Sequence, residues 1–116
     1  MAYRVSLTAP AEADAYAAFE RIRAAAPLHA EKWLTRLFEA MFSLNKLPTR
    51  CPVVPEAKEL GFPARHLLYG RGNGTYRIIF HVREDERHVR VLRIWHASRD
   101  AITAYDVDES SHRASV

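Results

Sequence analysis

Apolar positions in this 116-residue chain change their period three times. Tyr3, Val5 and Leu7 alternate with Arg4 and Ser6, a period of two that predicts a short strand. From Thr8 the period lengthens. Thr8 can cap a helix whose first turn carries Pro10, Glu12 and Asp14, residue types that suit free amide groups and the positive end of the helix dipole. The apolar stripe of that helix is Ala15, Tyr16, Phe19 and Ile22, and it runs to about Ala26, where Pro27 interrupts it. A second helix begins near Leu28 or His29. Its stripe, Trp33, Leu37, Met41 and Leu44 with Leu34 and Phe38 beside it, is the strongest helical periodicity in the chain and reads as core. Two helices joined by a proline turn form a hairpin, and only the strands downstream can bury so wide a stripe.

Between Leu47 and Pro63, four prolines and Gly61 suppress regular structure except for one turn over Glu56 to Leu60, which predicts a long ordered loop or lid. The period of two then returns. Arg65 to Tyr69 is a strand, Gly70, Gly72, Asn73 and Gly74 supply the turn of a hairpin, Thr75 to Val82 runs back, and His88 to Trp95 follows the acidic turn Glu84-Asp85-Glu86. The Gly72 to Gly74 stretch precedes a strand and has no P-loop lysine after it, so it is read as a hairpin turn and not as a phosphate cradle. The element order is β-α-α-β-β-β. We therefore expect an α+β fold with the N-terminal strand and a helical hairpin on one face of a small antiparallel sheet. One domain over residues 1–105 accounts for the pattern, followed by a polar, flexible tail over residues 106–116.

Charge is unevenly spread. Lys58 to Arg99 holds nine Lys and Arg against four acids, and four of the six His, whereas the preceding residues are nearly balanced. A basic sheet suits a phosphate-rich or acidic partner, although arginines on strands also form ordinary solvated faces. In the strand after the glycine turn, Tyr76, Ile78, Phe80 and Val82 point one way and Arg77, Ile79, His81 and Arg83 the other. If the helices cover the first set, Arg77 stands on the open face with no carboxylate in its own strand. Arg65 and Arg93 on neighbouring strands can join it in gripping phosphate oxygens. His96, where the last strand ends and the chain leaves the sheet, can reach the rim of the open face and is placed for proton transfer near neutral pH, while His66 and His81 are weaker candidates and His88 and His112 read as surface residues. The single Cys51, between two prolines, excludes an intrachain disulfide and reads as a small apolar loop residue in a reducing compartment. Neither the histidines nor Cys51 stand at metal-ligand spacing, and no dinucleotide fingerprint is present, so no metal and no cofactor is expected. No apolar window approaches the roughly 18 residues that span a bilayer. We expect a soluble, cytoplasmic protein with no membrane partner.

The opening YRVSLTAPAEAD, the helix EKWLTRLFEAMFSL followed by LPTRCPVVPEA, the pair RHLLYGRGNGTYRIIF and the ending VRVLRIWHASRD together resemble the RelE/ParE superfamily of bacterial toxins, over about residues 3 to 102. The resemblance implies the toxic half of a type II toxin-antitoxin module, a plasmid-stabilisation protein neutralised by a cognate antitoxin whose C-terminal part wraps it. It also implies one of two targets. RelE-like members cut mRNA at the ribosome without metal, and ParE-like members poison DNA gyrase without being enzymes. For the endoribonuclease, placed first, Arg77 matches the arginine that stabilises the phosphate, Arg71 lies near a second basic position, and His96 matches a histidine that some nucleases carry. The base would then be Glu56 or His66. The paired lysines of the RelE prototype are missing, Lys58 standing alone, and the wording of RHLLYGR is closer to the ParE-like branch. A degenerate toxin kept only as a binding protein is the third reading.

Overall fold

The computed structural model describes residues 2–108. Strand β1 spans Arg4–Leu7, helix α1 Ala9–Ala25 and helix α2 Pro27–Phe42. Two 3₁₀ turns, Ser43–Asn45 and Pro48–Arg50, lead to the short helix α3 at Ala57–Leu60. Then come β2, Arg65–Tyr69, a 3₁₀ turn at Gly72–Gly74, β3, Tyr76–Arg83, β4, His88–His96, and α4, Ala104–Val107. The expected element order holds, and the strand and hairpin boundaries shift by a residue or so.

Thr8 starts α1 with two bonds. Its Oγ1 accepts from the Ala11 amide at 3.1 Å and donates to the Leu92 carbonyl at 2.8 Å, so the helix cap is also a tether to β4. Along α1 the fully buried residues are Ala11, Ala15 and Ala18, which let the helix approach closely, whereas Tyr16 is 53% exposed and does not belong to the stripe expected for it. Phe19 and Ile22 pack at its edge. Pro27 occupies the first turn of α2, where its missing amide costs nothing. Trp33, Leu37 and Met41, with Leu44 just beyond, are buried as their spacing requires.

The sheet order is β1-β4-β3-β2. The β2–β3 and β3–β4 pairs are antiparallel, but β1 runs parallel to β4, with Arg4 opposite His88 and Leu7 opposite Val91. The sheet is thus mixed, not wholly antiparallel as expected. Alternation shows which face a residue takes, but not the direction of a partner strand far away in the chain. A bulge at Leu92 resets β4: Ile79 pairs with Arg93 and Phe80 with Val91. Val91 and Ile94 consequently share the helix-facing core, while Trp95 turns to the other side.

That other side is not open. Val54, Leu60 and Ala64 from the proline-rich segment and Ile102 from the C-terminal segment bury Ile79 and Trp95 in a second core. The apolar residues of the loop have no period, which is why a pattern reading leaves this face bare. The C-terminal segment is ordered beyond residue 105, because Thr103 and Asp106 cap α4 reciprocally. Residues 109–116, including His112, lie outside the described residues. His88, read as a surface residue, is 9% exposed and lies 2.6 Å from Ser6 Oγ through its Nε2. Among the described residues no helix is long and apolar enough to cross a membrane.

Candidate functional site

Arg77 projects from the start of β3 into the second core, between Leu68 of β2 and Trp95 of β4. All three nitrogens of its guanidinium donate to protein groups. NH1 and NH2 donate to the two carboxylate oxygens of Glu56 at 2.8 and 2.7 Å, and Nε donates to His66 Nδ1 at 3.0 Å. The paired side chains are only 12% and 11% exposed. Glu56 Oε2 also accepts from the Ile102 amide at 3.2 Å. One carboxylate therefore joins the loop, the sheet and the C-terminal segment. This partner arrives from a segment with no periodicity, so the strand pattern offered no carboxylate for Arg77.

The Arg77 hydrogen bonds hold the Glu56 carboxyl down at about 2, against an ordinary value of 4.5, with the Ile102 amide adding to the effect and burial opposing it. Burial and the neighbouring Arg77 charge push His66 the other way from protonation, lowering its pKa. Because Arg77 Nε donates to His66 Nδ1, the His66 ring proton sits on Nε2. A carboxylate with a depressed native pKa binds its proton more readily in the unfolded chain. Its stabilisation is complete above about pH 4.5 and is lost as the pH falls toward about 2. The loss expected over that window is on the order of 3 kcal/mol. It should disappear from the pH dependence of urea unfolding in Glu56→Gln.

Arg93 and Arg65 are also held by protein groups. Arg93 donates through Nε and NH2 to Asp14 of α1 at 2.7 and 2.8 Å, and through NH1 to the Asp106 carbonyl at 3.1 Å. Asp14 raises the Arg93 pKa still further, and its Oδ2 accepts from the Ile94 amide at 2.9 Å. That amide lies on the part of β4 that extends past β1, so Asp14 completes a strand edge that β1 leaves free. Arg65 NH1 donates to the Cys51 and Thr49 carbonyls at 2.6 and 3.3 Å, and Cys51 itself is buried, its thiol pKa raised by burial. The expected cluster of phosphate-gripping Arg65, Arg77 and Arg93 is three separate internal anchors.

His96 is on the opposite face from Arg77. It pairs with Tyr76, and their rings meet edge to face with centroids 4.9 Å apart on the helix side of the sheet. The rim of an open face, where its position suggested it, is not where the bulge at Leu92 leaves it. The Ser98 amide donates to His96 Nδ1 at 3.1 Å, which places the proton of the neutral ring on Nε2. His96 shares a pocket with Arg71 and with Lys32 and Arg36 of α2. The candidates thus divide in two: Glu56, His66 and Arg77 meet on one face, and His96 and Arg71 meet on the other. His29, Lys32 and Arg36 were missed. Their spacing of three and four residues puts them on one helix face, a signal hidden by reading α2 only for its apolar stripe. Among the described residues no His, Cys, Asp and Glu side chains gather in a group able to hold a metal ion.

A helical hairpin laid on a four-stranded mixed sheet, with an α+β element order, defines the fold of the small toxins that the sequence resembles. The chain belongs to the family described as "ParE toxin of type II toxin-antitoxin system, parDE", whose profile matches residues 5–101. It is a toxin of a type II toxin-antitoxin module, and such a module supplies a cognate antitoxin. Among solved structures, a chain of the "Chromosomal ParDE TA system from P. aeruginosa" is similar in fold, with a TM-score of 0.63 and 20% identity over 81% of this chain and 95% of that one. No curated protein matches in sequence.

Proposed function

We propose that this toxin acts by binding DNA gyrase and not by cutting RNA. One observation carries the choice: the three groups that a metal-independent nuclease would need together are on opposite faces of the sheet. Arg77 and Glu56 neutralise one another inside the second core, and His96 stands beyond the sheet against Tyr76. A guanidinium with a bidentate carboxylate partner would have to release it before it could stabilise charge on a phosphate, and a carboxylate held at about 2 is a poor base near neutral pH. In this reading Arg77 and Glu56 are scaffold, and the gyrase contact is made by exposed side chains. Family membership supports the same target.

The nuclease reading keeps one observation in its favour, which is that Arg71 and His96 do share a pocket. It would have to dispense with Arg77. Induction of the toxin under tight control, followed by labelled thymidine and methionine incorporation in the first minutes, separates the two. Gyrase binding should stop DNA synthesis first, with translation spared and DNA breaks dependent on gyrase. Early arrest of translation with DNA synthesis spared would return the assignment to RNA cleavage.

A further inference from the structure

We propose that the pocket between α2 and the β2–β3 turn binds a nucleoside phosphate. The cavity measures about 500 Å³, within the range of sites that enclose small ligands and several times larger than a bare inorganic anion needs. Its lining is divided by chemistry. Lys32 and Arg36 from α2, Arg71 from the turn and His96 from the end of β4 converge on it, and among the described residues no acidic side chain lines it. Among the described residues Lys32, Arg36 and Arg71 make no ion pair. This distinguishes them from Arg77 and Arg93, whose charge is consumed internally.

The floor is aromatic. Trp33 meets Tyr69 and Tyr76 edge to face at 5.8 and 5.5 Å, and Tyr76 meets His96 in the same way. The two tyrosine rings are held by polar bonds: Tyr69 donates to the Trp33 carbonyl at 2.7 Å, and Arg21 donates to the Tyr76 hydroxyl at 3.2 Å. Two guanidiniums and an ammonium suit a phosphate dianion, which guanidinium can grip bidentately. The His96 Nε2 proton, set by the Ser98 amide on the other nitrogen, adds a further donor. Tyr69 and His96 keep part of their rings exposed at this floor, and a nucleobase packed against them supplies a flat partner in the same molecule as the phosphate. The turn that forms the third wall tolerates no side chain at Gly70. Its φ is +98°, and a Cβ there would lie 2.3 Å from the Gly74 carbonyl oxygen, so the wall is a tightly folded backbone surface.

The proposal stands whether or not gyrase is the target. Isothermal titration of the full chain with 5′-AMP and 5′-GMP tests it, with the parent nucleosides and inorganic phosphate as the separated halves. Saturable binding of at least one nucleotide is expected, about tenfold or more tighter than either half alone. It should weaken about tenfold or more in the Arg36→Gln, Arg71→Gln double variant. Both positions are exposed, and an unchanged circular dichroism melt would certify that the variant is folded. Should that variant melt early, Lys32→Gln provides the same reading from another exposed side chain. No saturable heat with either nucleotide at millimolar concentration overturns the proposal. So does equal affinity for inorganic phosphate, or binding unchanged in the folded variants.

Discussion

Arg77→Ala is expected to lower the stability of this toxin by about 3–5 kcal/mol, because it leaves the Glu56 carboxylate buried with no counter-charge. A domain of this size holds roughly 5–15 kcal/mol in total, so the variant should be close to unfolding at ordinary temperature. The reason is the sharing of Glu56 among Arg77, the Ile102 amide and the α3 end of the loop. When the guanidinium goes, the loop and the C-terminal segment lose their common attachment to β3. Urea unfolding at neutral pH measures the loss, and the gap from the parent protein should narrow as the pH approaches 2, where Glu56 takes up a proton in both. Arg77→Met combined with Glu56→Leu should recover most of it, since well-packed apolar replacements for a buried ion pair are commonly neutral or better. A single Arg77→Ala variant within about 1 kcal/mol of the parent would show that the pair is not a structural clamp. The result also bears on activity, for if this arginine is scaffold, loss of toxicity in Arg77→Ala must track unfolding.

Asp14→Ala should be nearly as damaging, at about 3–5 kcal/mol. It strips Arg93 of its bidentate partner and leaves the Ile94 amide without its acceptor at the same time. Asp14→Asn keeps an oxygen for the amide but removes the charge, so it should fall between the two. Thermal unfolding ranks the three proteins. Amide hydrogen exchange supplies the specific readout: Ile94 should lose protection in Asp14→Ala and largely retain it in Asp14→Asn, whereas Ile78, bonded across the centre of the sheet, should respond only to global stability.

Local order was legible wherever the chain has a period. The α2 stripe, the β2–β3 hairpin and the outline of β3 follow from spacing alone, and the family resemblance rests on the same segments. What spacing could not supply was anything settled by distant residues. The pairing of Arg77 with Glu56 and of Arg93 with Asp14 joins positions far apart in the chain, and a carboxylate in a proline-rich loop carries no mark of its destination. The Leu92 bulge had a larger effect than one inserted residue suggests, because it leaves His96 and Arg77 on different faces and so separates a constellation expected to share one face. The Thr103-to-Asp106 cap is present in the sequence as a short motif, and it straddles the boundary drawn at residue 105 between domain and tail. Lys32 and Arg36 were passed over because they stand beside a strong apolar signal.

The parallel pairing of β1 with β4 has a temporal consequence. A ribosome delivers Arg4–Leu7 first, yet their ladder partner is His88–Val91, and Thr8 must wait for Leu92, 84 residues downstream. The helical hairpin emerges in between with Trp33, Leu37 and Met41 unburied. No partial chain ending before β4 can close the principal core, so the toxin gains its shape only once β4 has been made. Until then its apolar stripe is available to any partner already present in the cell. An antitoxin made earlier would thus meet its target as a nascent chain, before there is a finished toxin to restrain.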